Sequence, residues 1–275
     1  MQPLRLASFS IGQTGGNPAG VVIAAQHPSE NEMRQIAADL GYSETAFACP
    51  QGNAWRVRYF SPETEVPFCG HATVALGAAL AAQQGDGVFN LILNETAITV
   101  EGRNENGQMH AALQSPPTQS APAAADLTAA ALSLLGLQQG DLDPRFTPTF
   151  AGAGATHLIL VLNSRDTLSA MSYDLTAGRD LMREYDLVTI ALVWVETDQV
   201  FHVRNAFASG GVIEDPATGA AAAAFAGYLR DIAWPHAGII TIIQGEDMGA
   251  KSIITAEIPD EKGASIRISG EVRQI

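Results

Sequence analysis

Cys69-Gly70-His71-Ala72-Thr73-Val74-Ala75-Leu76-Gly77-Ala78-Ala79-Leu80-Ala81-Ala82 contains no charged side chain apart from the His71 imidazole at its start. Wound as a helix, His71–Ala82 is apolar nearly all round, and such a helix is buried on every side. Ala217–Leu229 is a second helix of the same kind, entered through Glu214-Asp215-Pro216-Ala217-Thr218-Gly219. Ala72-Thr73-Val74-Ala75 and Ala217-Thr218-Gly219-Ala220 lie 145 positions apart. Each follows a strand containing Val-Arg and then a loop with Gly and Pro. Similar order at two places predicts a duplicated unit. The expected fold class is therefore α+β: two similar domains, each a mostly antiparallel sheet wrapped around a central apolar helix, related by a pseudo-twofold axis.

The flanking segments supply the strands. Leu4, Leu6 and Phe9 form an alternating run into a Gly-rich turn at Gly12–Gly20, and Val21-Val22-Ile23 follows as a strand. Ser29 with Glu32 makes a capping box, Met33, Ile36, Ala37 and Leu40 keep helical spacing, and Gly41 stops the helix. Trp55, Val57 and Tyr59 alternate as a strand, as do Phe89–Leu93, Ala97–Glu101 and Met109–Leu113. Ser115–Pro122 is Pro/Ser-rich and reads as a linker. The domains are accordingly 1–116 and 117–275, with the terminal strand crossing back to the first. In the second, Asp126 is expected to cap a helix through Leu135, stopped by Gly136. His157–Leu162, Leu187–Val195 and Val200–Ala206 read as strands and Asp174–Asp186 as a helix. Three more strands close the chain, near Ile239–Ile243, Ile253–Ile258 and Ile266–Ser269.

Composition narrows the class. The 275 residues are 47% hydrophobic and 16% charged, ample for a buried core. A formal charge of −14 argues against nucleic acid or an anionic membrane as partner. Two cysteines make no disulfide framework and fit a reducing compartment. Met1-Gln2-Pro3-Leu4-Arg5 lacks the pattern of a secretory signal, and no apolar stretch approaches the roughly 20 residues that span a bilayer. A cytoplasmic location is expected, and a homodimer, because twofold oligomers are the commonest.

Both apolar helices begin at polar junctions. Helix N-termini present unpaired N–H groups and a positive dipole end, which suit a carboxylate. The plain alternative is ordinary capping, with Asp215 and Thr218 satisfying their own helix and His71 capping the other. Glu44 lies between a helix stop and the apolar run Thr45-Ala46-Phe47, a position suited to a general base. Read alone, without the other motifs, it is a solvated loop carboxylate. Gly12-Gln13-Thr14-Gly15-Gly16 lacks the Lys-Ser/Thr of a phosphate loop. Cys69 and His71 could face a metal, but no second ligand pair has a recognisable spacing, so no metal is expected.

Taken together the motifs are specific. Gly16-Asn17-Pro18-Ala19-Gly20-Val21, Ser43-Glu44-Thr45-Ala46-Phe47, Tyr59-Phe60-Ser61-Pro62, Glu65-Val66-Pro67-Phe68-Cys69-Gly70-His71-Ala72-Thr73 and Glu214-Asp215-Pro216-Ala217-Thr218-Gly219 occur in this order over nearly the whole chain. The sequence resembles the phenazine-biosynthesis PhzF-like isomerase family. That resemblance implies the diaminopimelate-epimerase-like fold with the active site between its two domains. It also implies Glu44 as the acid/base, assisted by His71 and Asp215. Asn17, Gly70, Ala72, Thr218, Gly219 and Ala220 would bind the substrate, the two glycines through backbone N–H groups.

Epimerases of the same fold use two cysteines as acid and base. Cys69 occupies the first of those positions, but the second junction holds Asp215-Pro216. Cys49 has no partner motif and reads as a small buried hydrophobe. Ala220 stands where the family often has Ser, which removes a hydroxyl donor. The expected activity is thus a cofactor-independent isomerisation of a small carboxylate-bearing metabolite by proton transfer through Glu44. An epimerase or racemase pairing Glu44 or Cys69 with Asp215 is the alternative within enzymes. A non-catalytic metabolite-binding protein that kept the fold is the alternative outside them.

Overall fold

The apolar run after Cys69 forms a helix, Gly70–Gln84, in which every residue from Gly70 to Ala81 is buried. The computed structural model describes residues 2–275 and divides into two units. The first comprises residues up to Gln114 together with Ile268–Ile275, and the second Ser115–Arg267.

The first unit begins with β1 (Leu4–Ser10), β2 (Asn17–Ile23), α1 (Glu30–Leu40), β3 (Thr45–Gln51), β4 (Ala54–Phe60) and β5 (Glu65–Val66). Then come α2 (Gly70–Gln84), β6 (Gly87–Ile92), β7 (Ala97–Glu105) and β8 (Gln108–Pro117). Neighbouring strands pair antiparallel except where a helix intervenes. The pair β2–β3 is parallel across α1, and β4–β6 is parallel across α2. Parallel partners need such a crossover. The expected capping box of α1 is present, with Ser29 accepting from the Glu32 N–H and the Glu32 carboxylate accepting from the Ser29 N–H. Met33 and Ala37 of α1 seat on Val22, Phe47 and Phe60.

Helix α2 lies unusually close to β7. A Cβ at Gly102 would sit 2.1 Å from the carbonyl oxygen of Gly77, and one at Gly77 would sit 2.5 Å from Val100 Cγ2. The obstruction at Gly102 is the backbone of α2 and not the end of a flexible side chain, so the helix itself must move. Gly102→Ala should therefore cost about 1–3 kcal/mol or more by overpacking. Thermal denaturation measures it, and an unchanged Tm would contradict the seating of α2 on this strand.

The second unit comprises β9 (Gln119–Pro122), α3 (Ala125–Leu134), β10 (Thr149–Gly152), β11 (Thr156–Leu162), α4 (Arg165–Ser169), α5 (Leu175–Glu184), β12 (Thr189–Thr197) and β13 (Val200–Ala206). It continues with β14 (Glu214–Asp215), α6 (Gly219–Asp231), β15 (Ile239–Gln244), β16 (Ser252–Glu257) and β17 (Ser265–Gln274). From Ile268 onward β17 belongs to the first unit, where its last residues pair with β1. Strand β11 runs parallel to β12 across α4 and α5, and β13 runs parallel to β15 across α6. The pairs β12–β13, β13–β14 and β15–β16 are antiparallel. This is the connectivity of the first unit repeated. The repetition extends to an ion pair. Phe60 pairs with Glu65 as Ala206 pairs with Glu214, and the arginine two residues earlier, Arg58 or Arg204, binds that glutamate in each unit.

Several sequence expectations need correction. Ser115–Pro122 is not a linker: β8 runs to Pro117, and β9 pairs antiparallel with β10 from Gln119 to Pro122. Proline lacks only the N–H, so its carbonyl still serves a ladder, and composition alone misses this. The glycine-rich turn is shorter than expected, because β2 already starts at Asn17, opposite Ser8. Asp126 does not cap α3. Ala124 is the N-cap, with no side-chain bond, and Asp126 in the first turn accepts from the Tyr185 hydroxyl instead. Cys49 is only half-buried, lying towards the end of β3 opposite Arg56. Among the described residues no helix is long and apolar enough to cross a membrane.

One buried residue gives the second unit a pH dependence. His157 is fully buried in β11, its Nδ1 2.7 Å from Thr189 Oγ1 and its Nε2 without a partner. Desolvation pushes its pKa from 6.5 down to about 3. The unfolded chain therefore takes up a proton below about pH 6.5 that the folded chain refuses. Stability present above that pH is lost as pH falls, by about 2 kcal/mol at pH ~5. Tm should fall from pH ~7 to ~5, and His157→Asn should remove this part of the slope. A variant that keeps the whole slope would assign the proton uptake to other groups.

Candidate active site

The first unit brings together Glu44, between α1 and β3, and His71, in α2. Glu44 follows the left-handed residue Gly41 that ends α1, and its carbonyl accepts from the Gly20 N–H at 3.2 Å. Glycine is required at position 20. A Cβ there would meet Leu40 Cδ1 at 2.5 Å and Thr45 Oγ1 at 2.6 Å, so any side chain would push the Glu44 segment away. His71 is the second residue of α2, and Cys69 is the residue before that helix.

Their side chains converge. His71 Nε2 lies 3.5 Å from Glu44 Oε2, and the two side chains are 6% and 12% exposed. Cys69 Sγ lies 3.5 Å from Glu44 Oε2 and 3.4 Å from His71 Nδ1. Ser43 Oγ is 3.4 Å from His71 Nε2. A carboxylate, an imidazole and a thiol thus share one largely water-excluded spot, where protons can pass among them.

The backbone beneath is fixed by buried hydrogen bonds. Ser8 Oγ donates to the His71 carbonyl at 2.7 Å. Thr73 Oγ1 donates to the Cys69 carbonyl at 2.6 Å and meets the Tyr59 hydroxyl, also at 2.6 Å. Burial raises the Tyr59 pKa, so this phenol stays neutral and serves as a brace. Asn17 is buried opposite Ser8 in the β1–β2 register, which places it one strand from the His71 support. Phe9, beside Ser8, is buried in the left-handed region at φ 64°, where the register of β1 against β17 shifts. A bulky residue there stores about 1–3 kcal/mol of strain, held in place by the surrounding packing. Gly70 and Ala72 flank His71 in the first turn of α2, which has no side-chain cap.

The remaining expected residues lie in the second unit. Asp215 ends β14 and is 5% exposed. Thr218, the N-cap residue of α6, makes no side-chain cap to that helix. Its hydroxyl donates to the Asp215 carboxylate instead. Gly219 opens the helix, and Ala220 follows it without a hydroxyl.

Three residues around Asp215 were given no place in the site by sequence reasoning. Gln244 ends β15 and is buried. It donates to the Asp215 carbonyl at 2.7 Å and to Thr218 Oγ1 at 3.1 Å, and accepts from the Thr218 N–H at 3.2 Å. Asn205 pairs with Asp215 in the β13–β14 register and is fully buried, with neither side-chain amide atom hydrogen-bonded. Arg204 forks onto Glu214, next to Asp215, at 2.6 and 3.2 Å. The signal for Gln244 was a polar residue ending an apolar strand, which names no partner. Asn205 and Arg204 follow Val203 in a strand whose pairing only the fold reveals.

Residues 6–273 match the family described as phenazine biosynthesis-like protein. An Escherichia coli (strain K12) protein named uncharacterized isomerase YddE is 30% identical over 267 residues, covering 93% of this chain and 90% of the relative. The trans-2,3-dihydro-3-hydroxyanthranilate isomerase of Pseudomonas fluorescens is 28% identical over 260 residues, covering 93% and 90%. The crystal structure of the Bacillus anthracis phenazine biosynthesis protein of the PhzF family superposes with a TM-score of 0.86. It is 23% identical and covers 100% of this chain and 98% of that one, a likeness of fold alone.

Proposed function

The chain belongs to the phenazine biosynthesis-like protein family and is an isomerase, and from that premise we propose that it moves a proton on a small carboxylate-bearing metabolite, with Glu44 as acid and base and no cofactor. The observation that carries this reading is the meeting of Glu44 Oε2 with His71 Nε2 at 3.5 Å in a largely buried spot. Glu44 takes a proton from a carbon acidified by neighbouring unsaturation or a carboxylate, and redelivers it to another carbon. His71 donates to the developing negative charge or to the carboxylate of Glu44. The N–H groups of Gly70 and Gly219, at the uncapped ends of α2 and α6, are suited to a substrate carboxylate. Asp215 assists as the resemblance implies, held by Thr218 and Gln244. The relative that isomerises trans-2,3-dihydro-3-hydroxyanthranilate points to unsaturated cyclic acids as the first compounds to try.

A second reading within the same class is epimerisation, with Asp215 paired with Glu44 or with the Cys69 thiol, which lies 3.5 Å from Glu44. Turnover of a panel of small carboxylates and cyclic amino acids in deuterated water separates the two. A hydrogen shift gives a product with a moved double bond and deuterium at the new position. Epimerisation gives deuterium at an inverted stereocentre. Exchange with neither change would overturn both readings.

A further inference from the structure

We propose that Glu44, Cys69 and His71 form a binding site for a divalent zinc ion whose occupation shuts the enzyme off. In tetrahedral coordination, Zn–S near 2.3 Å and Zn–N or Zn–O near 2.0–2.1 Å place nitrogen and oxygen ligands about 3.3 Å apart and sulfur about 3.5 Å from either. The side chains already stand at these separations: 3.5 Å for His71 Nε2 to Glu44 Oε2, 3.5 Å for Cys69 Sγ to Glu44 Oε2, and 3.9 Å for Cys69 Sγ to His71 Nε2. To complete the set the Cys69 side chain must swing from its contact with His71 Nδ1, at 3.4 Å, towards the Nε2 side of the ring, a rotation about one side-chain bond.

The donor set suits zinc. Thiolate and imidazole select a borderline-soft ion over magnesium or calcium, which want oxygen alone. Charge balances too, since one thiolate and one carboxylate neutralise Zn²⁺ around a neutral imidazole, and a buried site tolerates charges only when they are compensated. On binding, the Cys69 S–H bond breaks, the S–Zn bond forms, and the proton leaves to solvent. The backbones are held beforehand, Cys69 by Thr73 and His71 by Ser8, so little ordering is left to oppose binding. Three protein ligands leave a fourth position open, as in exchangeable zinc sites rather than closed structural ones. A zinc-bound Glu44 cannot carry a proton, so occupation is inhibitory. Zinc binding is a property of these three side chains and is tested apart from turnover, whereas its inhibitory effect rests on the reading of Glu44 as acid and base.

Titration of the full chain with Zn²⁺ and with Co²⁺ as a spectroscopic probe tests this without any turnover assay. One equivalent of Co²⁺ should give a sulfur-to-cobalt charge-transfer band, displaced by Zn²⁺. Cys69→Ser should abolish the band and weaken Zn²⁺ binding about 100-fold or more, since even outer-shell partners of a metal cost 10–100-fold. Glu44→Gln should weaken Zn²⁺ binding while keeping the band, and Cys49→Ser should change neither. Thermal melts of each variant confirm that it is folded. A band that survives Cys69→Ser, or is lost in Cys49→Ser, would overturn the assignment, as would Zn²⁺ affinity unchanged by both Cys69→Ser and Glu44→Gln. Where substrate is available, Zn²⁺ should inhibit and a chelator restore the rate.

Discussion

Glu44→Gln is expected to lower kcat/KM by about 10²–10⁴-fold, the usual contribution of one positioned acid/base, with Tm nearly unchanged. The amide keeps the size and shape of the carboxylate and can still meet His71 and Cys69, so the fold has little reason to respond. What it loses is the ability to accept a proton. Because the proposed reaction both removes and returns a proton through this one group, no second carboxylate in the cluster can substitute. The measurement is initial rate together with solvent deuterium incorporation. A wild-type rate would remove Glu44 from the chemistry. Retained exchange at a stereocentre would pass the role of base to Cys69 or His71 and favour epimerisation.

Glu214→Ala is expected to produce the largest loss of stability. Arg204 and Glu214 are 9% and 7% exposed, and their forked contact is the only ionic partner recorded for that guanidinium among the described residues. Removing the carboxylate leaves Arg204 with the carbonyls of Ser169 and Met171, at 2.8 and 3.2 Å, and an uncompensated buried charge. Breaking one partner of such a pair costs about 3–5 kcal/mol, whereas replacing both with apolar groups is often neutral. At about 2–4 °C per kcal/mol for a chain of this size, Tm should drop by roughly 6–20 °C. The double variant Arg204→Met with Glu214→Leu should recover most of it. The equivalent pair in the first unit, Arg58 with Glu65, is about 21% exposed on both sides. Arg58 holds the Glu65 carboxyl below its usual range, yet solvent can rehydrate whichever partner remains, so Glu65→Ala should cost clearly less. Equal losses at the two sites would mean that burial is not what sets the penalty. Asp215 is bonded in sequence to Glu214, so the clamp also fixes where the second unit presents its acid, and Glu214→Ala should impair turnover beyond its effect on folding.

Much of this molecule was legible one residue at a time. Helices α2 and α6 announced their burial by having no polar face, a property that survives in the bare sequence because a helix's period is fixed at 3.6 residues. The caps of α1 at Ser29 and Gly41 were legible for the same reason, since each concerns neighbours within one turn. The motifs around Glu44, His71 and Asp215 identified the family and the class of enzyme. Pairing was not legible. Ser115–Pro122 looked like a linker until β10 was there to receive β9, and Asn17 belonged to a turn until β1 drew it into a strand. The contacts that define the cluster and its supports join residues far apart in the chain. Cys69 and His71 reach Glu44 across more than twenty positions, Gln244 reaches Asp215 across 29, and Arg204 finds Glu214 through a strand register. Local spacing carries no information on such distances, because they are set by which strands share hydrogen bonds and how closely α2 can lie on β7. Sequence alone therefore determined what the helices bury and to which family of isomerases the chain belongs. Tertiary structure decided that the Cys69 thiol joins the Glu44 and His71 pair, and that Gln244 reaches both Asp215 and Thr218 from the end of β15.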